Sequence, residues 1–269
     1  MQVNSHRCRL TYLRRDFAPC PFHAPVSTAA PTTNDAAEFL RAQISRAKEL
    51  RLAHQTSADR AAKWLLLRQW QAARLARTHK DLLDDRRYRP AAEFFLSDLY
   101  GTKDTGQRDA AVERIYPVMV KMLPEAALHG VGVALELDAL SEELDARMLQ
   151  VLFEDHGIQD AITERAYADA YRRCDNYASR KHQIELVSEV GKDLALVVAK
   201  PLIYRLLRGM RVPARLAGFG ELQDFLERGF HAFQQMEQPE VFLETIEHRE
   251  VQILDRIYAS HPRPFDLEG

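Results

Sequence analysis

From Ala126 to Leu137 the chain reads as a helix that is apolar almost all round, with Leu128, Val131, Val133, Ala134, Leu135 and Leu137 distributed around its axis. A helix of that kind needs cover on several sides, so it has to lie centrally in whatever the chain folds into. Only helices are on offer as cover. No stretch has the period-two alternation and β-branched content of a strand, and no internal repeat is detectable. With 269 residues, 46% of them hydrophobic and 28% charged, the chain has the means to bury a real core. The expected fold is therefore all-α, a single multi-helix bundle of about eight helices.

Punctuation residues divide the sequence. Met1 to Thr33 mixes Arg7, Arg9, Arg14 and Arg15 with four prolines and shows no helical period. Residues 1–34 are expected to be a disordered arm or a start site placed too far upstream, 35–260 the bundle domain and 261–269 a tail. Asp35 with Glu38 opens a first helix to about Gln55, and Ser57 caps a second that continues toward Leu83. Pro90 starts a short helix that Gly101 ends, before a loop from Gly101 to Gly106. A helix from Gln107 to Met122 should bend or break at Pro117. Pro124 begins a long helical stretch that Gly157 stops; Asp160 begins another, to about Cys174. Ser179 caps the next, with interruptions at Gly191 and Pro201 before Gly209. The last two are expected over Pro213 to Met236 and Pro239 to Ser260.

Charge is uneven along the chain. Arg41 to Pro90 carries 13 Lys/Arg against 5 Asp/Glu, and Ala91 to Ala170 carries 6 against 16. Segments of opposite sign are expected to lie side by side and neutralise one another; a basic surface for an anionic partner is the alternative. The formal net charge of −2 makes nucleic acid an unlikely partner. No apolar run reaches the ~18 to 20 residues that span a bilayer, so no membrane partner is expected. Cys8, Cys20 and Cys174 are odd in number and far apart, which fits reduced thiols in the cytoplasm better than a disulfide or zinc scaffold.

The string Phe94-Phe95-Leu96-Ser97-Asp98-Leu99-Tyr100 resembles the motif of the uncharacterised bacterial FFLEELY motif proteins, with Ser97-Asp98 where that motif has two glutamates. Phe94, Phe95, Leu96, Leu99 and Tyr100 match, and the likeness extends over Pro90 to about Tyr258. It implies a helical bacterial protein and brings no catalytic residue. By spacing alone these side chains would plug a helix into a core; the alternative is that the aromatics line a ligand pocket.

Within the apolar helix one polar stripe runs through Glu125, His129, Gly132 and Glu136. Carboxylates and an imidazole one turn apart can hold a metal or share acid-base work, so Glu125, His129 and Glu136 are the candidate ligand or metal site. No metal is assigned and the cofactor is unknown. Several other patterns fall short: Gly130-Val131-Gly132 has Leu135 at the third glycine position, Asp81, Asp84 and Asp85 have no second aspartate cluster, and Glu244 to His248 looks like a solvated face. Arg180, Lys181 and His182 sit at a helix start, where positive charge is disfavoured, and so hint at an anion or partner contact. Leu222, Phe225, Leu226, Gly229, Phe233 and Met236 form a stripe expected to face the core, with a close helix approach at Gly229. Function remains unknown at this level. The leading expectation is a non-enzymatic helical protein acting through association with itself or another protein; the alternatives are a helical enzyme or ligand binder sited on the central helix, and a weak nucleic-acid binder using the basic helices of 41–89.

Overall fold

The computed structural model describes residues 33–54, 57–99, 106–158 and 161–267. Residues 1–32 of the expected N-terminal arm, with Cys8 and Cys20, and Tyr100, Gly101 and Asp160 lie outside them. Among the described residues the structure is all-α without strands. No helix there is long and apolar enough to cross a membrane. The elements are α1 (Thr33–His54), α2 (Ala58–Thr78), α3 (Lys80–Asp84), α4 (Arg89–Phe94), α5 (Gly106–Met122), α6 (Glu125–Leu149), α7 (Glu164–Arg173), α8 (Tyr177–Val198), α9 (Pro201–Gly209), α10 (Arg211–Leu216), α11 (Gly220–Gln234) and α12 (Pro239–Tyr258). Wider π-helical turns extend α4 over Phe95–Leu99 and α6 over Gln150–Asp155.

Twelve α-helices among the described residues correct the expectation of about eight. Apolar periodicity runs through some breaks that the backbone makes. The helix expected to continue from Ser57 toward Leu83 stops at His79, whose backbone leaves the helical region. The one expected over Pro213 to Met236 divides at Gly218, where φ is +78°. Other punctuation acts as its chemistry dictates. Ser57 Oγ accepts a hydrogen bond from the Arg60 amide at 3.2 Å, capping α2, and Gly157 ends the α6 extension at φ +65°. Pro117 does not break α5. It sits on the exposed face, where water can satisfy the carbonyl it leaves unpaired. Thr163 caps α7, and α8 starts at Tyr177, two residues before Ser179.

Helix α6 packs against α1, α2 and α8, and α12 packs along α8. Glycines set two of the closest approaches. A Cβ on Gly229 of α11 would lie 2.9 Å from Cζ of Phe94, and one on Gly191 of α8 would collide with the Leu243 side chain of α12. Gly191 therefore lies within α8 without interrupting it, because it accommodates a neighbour. Phe94 and Phe95 of the aromatic motif are buried; Phe94 packs on Phe225, and Phe95 on Phe233 and Phe242. After α12 the chain turns back, and Phe265 packs edge-on against Trp70 and Tyr167.

The oppositely charged segments do meet. From α1 and α2, Arg46 pairs with Glu143, Lys48 with Glu113 at 2.8 Å, Arg60 with Glu154 at 3.6 Å, Arg68 with Glu142 at 2.6 Å and Arg77 with Glu164 at 3.0 Å. Most of these are surface pairs and contribute tenths of a kcal/mol. Arg68 and Glu142 are different, because both are buried.

Candidate functional site

Helical spacing brings polar side chains inward at one place. On α2, Arg68, Gln71 and Arg74 follow one another at intervals of three and share the face that carries Trp64 and Leu67 into the core. Helix α8 adds Arg180 and Gln183, α6 adds Ser141 and Asp145, α7 adds Tyr167 and Tyr171, and α12 adds Glu250. These residues line a cavity of about 100 Å³. The rest of the wall is apolar. It consists of Leu82 and Leu83 of α3, Ala92 of α4, Phe95 and Leu96 of the π-helical turn, Ile184 and Val187 of α8, and Phe242 and Ile246 of α12. Every lining residue is buried or half-buried.

The polar wall is organised by ion pairs. Arg68 holds Glu142 at 2.6 Å and Asp145 at 2.9 Å, and Gln71 donates to Asp145 at 2.8 Å. Nη1 of Arg74 donates to both oxygens of Glu250, at 2.6 and 2.7 Å, and His79 Nε2 lies 2.9 Å from the same carboxylate. Burial works against ionisation of Glu250, but Arg74 and His79 outweigh it and hold the carboxyl at about 2. An ionised Glu250 only accepts, so His79 presents Nε2–H to it. Among the described residues His79 Nδ1 is buried without a hydrogen-bond partner. Tyr167 stacks on Trp70 at 3.9 Å between ring centroids, and burial pushes the hydroxyls of Tyr167 and Tyr171 above the ordinary phenol range.

Arg180 differs from its two neighbours. It is 4% exposed, and it makes hydrogen bonds of 3.3 Å to Gln183 Oε1 and to the Leu144 carbonyl, both neutral acceptors. Its guanidinium lies 4.5 Å from the ring centroid of Tyr171.

The residues singled out from sequence are placed as follows. Glu125 is half-buried on the first turn of α6, His129 is exposed with its ring 5.7 Å from that of Phe39, and Glu136 lies 2.9 Å from His182 Nε2. The contacts of His129 and Glu136 thus reach to α1 and α8. Among the described residues no group of three or more His, Cys, Asp and Glu side chains is assembled to hold a metal ion. Asp81 binds Arg249, Asp84 binds Lys80 and Asp85 binds Arg87. Of the three residues at the start of α8, Lys181 and His182 are exposed while Arg180 enters the cavity. Sequence reasoning passed over Gln71, Arg74, His79, Asp145, Tyr167, Tyr171 and Glu250. The available signal was polar residues at apolar-stripe spacing on α2.

A family model described as "Domain of unknown function (DUF8198)" matches residues 50–264, and the chain belongs to that family. No curated protein and no solved structure matches.

Proposed function

We propose that this member of a family without known activity is a binding protein for a small organic molecule held in the cavity between α2, α8 and α12. The observation that carries the reading is the mixed lining, apolar side chains together with three arginines, of which Arg68 and Arg180 are buried and Arg74 half-buried. Ligand sites combine a mainly apolar surface with a few convergent polar groups in this way. At about 100 Å³ the cavity is smaller than the apolar cavity of about 150 Å³ that holds a benzene ring, so it admits a molecule of at most that size. The π-helical turn supports the same reading, since such turns recur beside functional sites and this one supplies Phe95 and Leu96 to the wall. The resemblance to FFLEELY motif proteins, a bacterial source and a cytoplasmic location belong to this proposal. Comparison of native and denatured masses, before and after incubation with a metabolite extract, tests it. Excess native mass in the wild type that is lost in Ala92→Leu is expected; a chain that stays bare overturns the reading. Glu125, His129 and Glu136 remain a second candidate position, and loss of the excess mass in His129→Ala would place the ligand there.

A second reading, self-association, is favoured by the apolar surface of α9 and α10. Leu202, Leu206 and Met210 recur every four residues and are 64%, 57% and 51% exposed, and Leu216 beyond them is 85% exposed. Apolar side chains so arranged form one face that a second copy of the chain could cover. Light scattering of the wild type and of Leu206→Glu decides it. An oligomer that Leu206→Glu converts to monomer is expected, and a monomeric wild type overturns it.

A further inference from the structure

The charge pattern of the polar wall narrows the class of molecule, and this step rests on the cavity being a ligand site. Two of its three arginines already have carboxylate partners: Arg68 has Glu142 and Asp145, and Arg74 has Glu250. Arg180 has no carboxylate within ion-pair distance among the described residues, although it is 4% exposed. Asp145 acts on it through space, but the Asp145 oxygens are taken by Arg68 and Gln71. Arginine stays charged in proteins and carries five N–H donors. Two are used, both in bonds of 3.3 Å to neutral oxygens, and among the described residues Nε, like that of Arg74, is buried with no acceptor. The Tyr171 ring covers one face of the guanidinium, so a further partner has to approach edge-on, in its plane. Arg180 also lines the cavity.

We propose that the cavity binds a small monocarboxylate, with the carboxylate held by Arg180 and the apolar body against Phe95, Val187 and Phe242. A planar anion with two acceptor oxygens matches the guanidinium edge and can take two parallel hydrogen bonds. A doubly charged group such as phosphate fits poorly, because Asp145 and Glu250 line the same cavity and would repel the second negative charge. The cavity volume holds the body to a short alkyl chain.

The test pairs acids with uncharged mimics of the same shape. The full-length chain is titrated with propionate and butyrate, and with propionamide and butyramide, by calorimetry and ligand-observed NMR. In the wild type each acid should bind about ten-fold or more tightly than its amide, the advantage of a charge-assisted over a neutral hydrogen bond. Arg180→Met should abolish that preference while keeping amide affinity within about two-fold, and Arg180→Lys should restore part of it. The wild-type comparison stands even if a variant fails to fold. Equal binding of acids and amides, or an acid preference that survives in folded Arg180→Met, overturns the carboxylate assignment and leaves the cavity as a ligand site. No binding of either series to the natively folded wild type overturns this inference, whereas a bare native mass after the metabolite extract is what removes the ligand site itself.

Discussion

The guanidinium of Arg68, on α2, lies 2.6 Å from the carboxylate of Glu142, on α6, and both side chains are less than a tenth exposed. The same guanidinium reaches Asp145, one turn further along α6. One cation thus joins a basic helix to two acidic positions of the central helix, in a place where neither charge can be hydrated.

Removing that cation should be costly. Arg68→Met leaves Glu142 and Asp145 buried without their counter-charge and is expected to lose about 3 to 5 kcal/mol, the range for breaking a buried pair from one side. Glu142→Gln should lose less, since Arg68 retains Asp145. Urea denaturation followed by far-UV circular dichroism measures both, and equal losses would contradict this ordering.

The Glu250 carboxyl is held at about 2 in the folded chain against an ordinary value of 4.5. A depressed carboxyl stabilises the fold fully above pH 4.5, and that contribution fades as pH falls from 4.5 toward 2. Glu250→Gln is therefore expected to be less stable than the wild type at pH 7, with the gap closing across that acid window. Chemical denaturation at a series of pH values reads the difference, and a gap that is constant with pH would refute the assignment to Glu250.

Gly229→Ala places a methyl 2.9 Å from Cζ of Phe94, a ring confined by Phe95 and Phe225. Overpacking costs about 1 to 3 kcal/mol, against about 1 kcal/mol gained in helix propensity, so a net loss of about 1 kcal/mol is expected. Gly209→Ala meets nothing within 4 Å and should be neutral or stabilising. Thermal unfolding of the two variants, with Phe94→Leu added to Gly229→Ala as the compensating change, checks the contact.

The parts of this fold that could be read from sequence are those governed by neighbours along the chain. Ser57 at the start of α2, Gly157 after α6 and Pro239 at the start of α12 act through local backbone chemistry. The close approach at Gly229 and the pairing of oppositely charged segments were also visible, as a small residue in an apolar stripe and as a charge asymmetry. The break at His79 was hidden, because Leu82 and Leu83 continue the apolar rhythm through it. The cavity was hidden for a different reason. Its polar wall takes residues from α2, α6, α7, α8 and α12, and no short string contains more than three of them. Arg180 was noticed for its unfavourable place at a helix start, which is independent of what it faces; Arg74 and Glu250 gain meaning only from each other, across 176 positions.

That separation has a consequence for biosynthesis. Arg74 is made long before Glu250, the residue that neutralises it, and in an incomplete chain it has to stay in water. The cavity wall can close only after α12 has been made, so this polar surface consolidates later than the helices that precede α12. A chain cut short before α12 would carry the other helices with their interior charges still exposed, a form that quality-control proteases can recognise as unfinished.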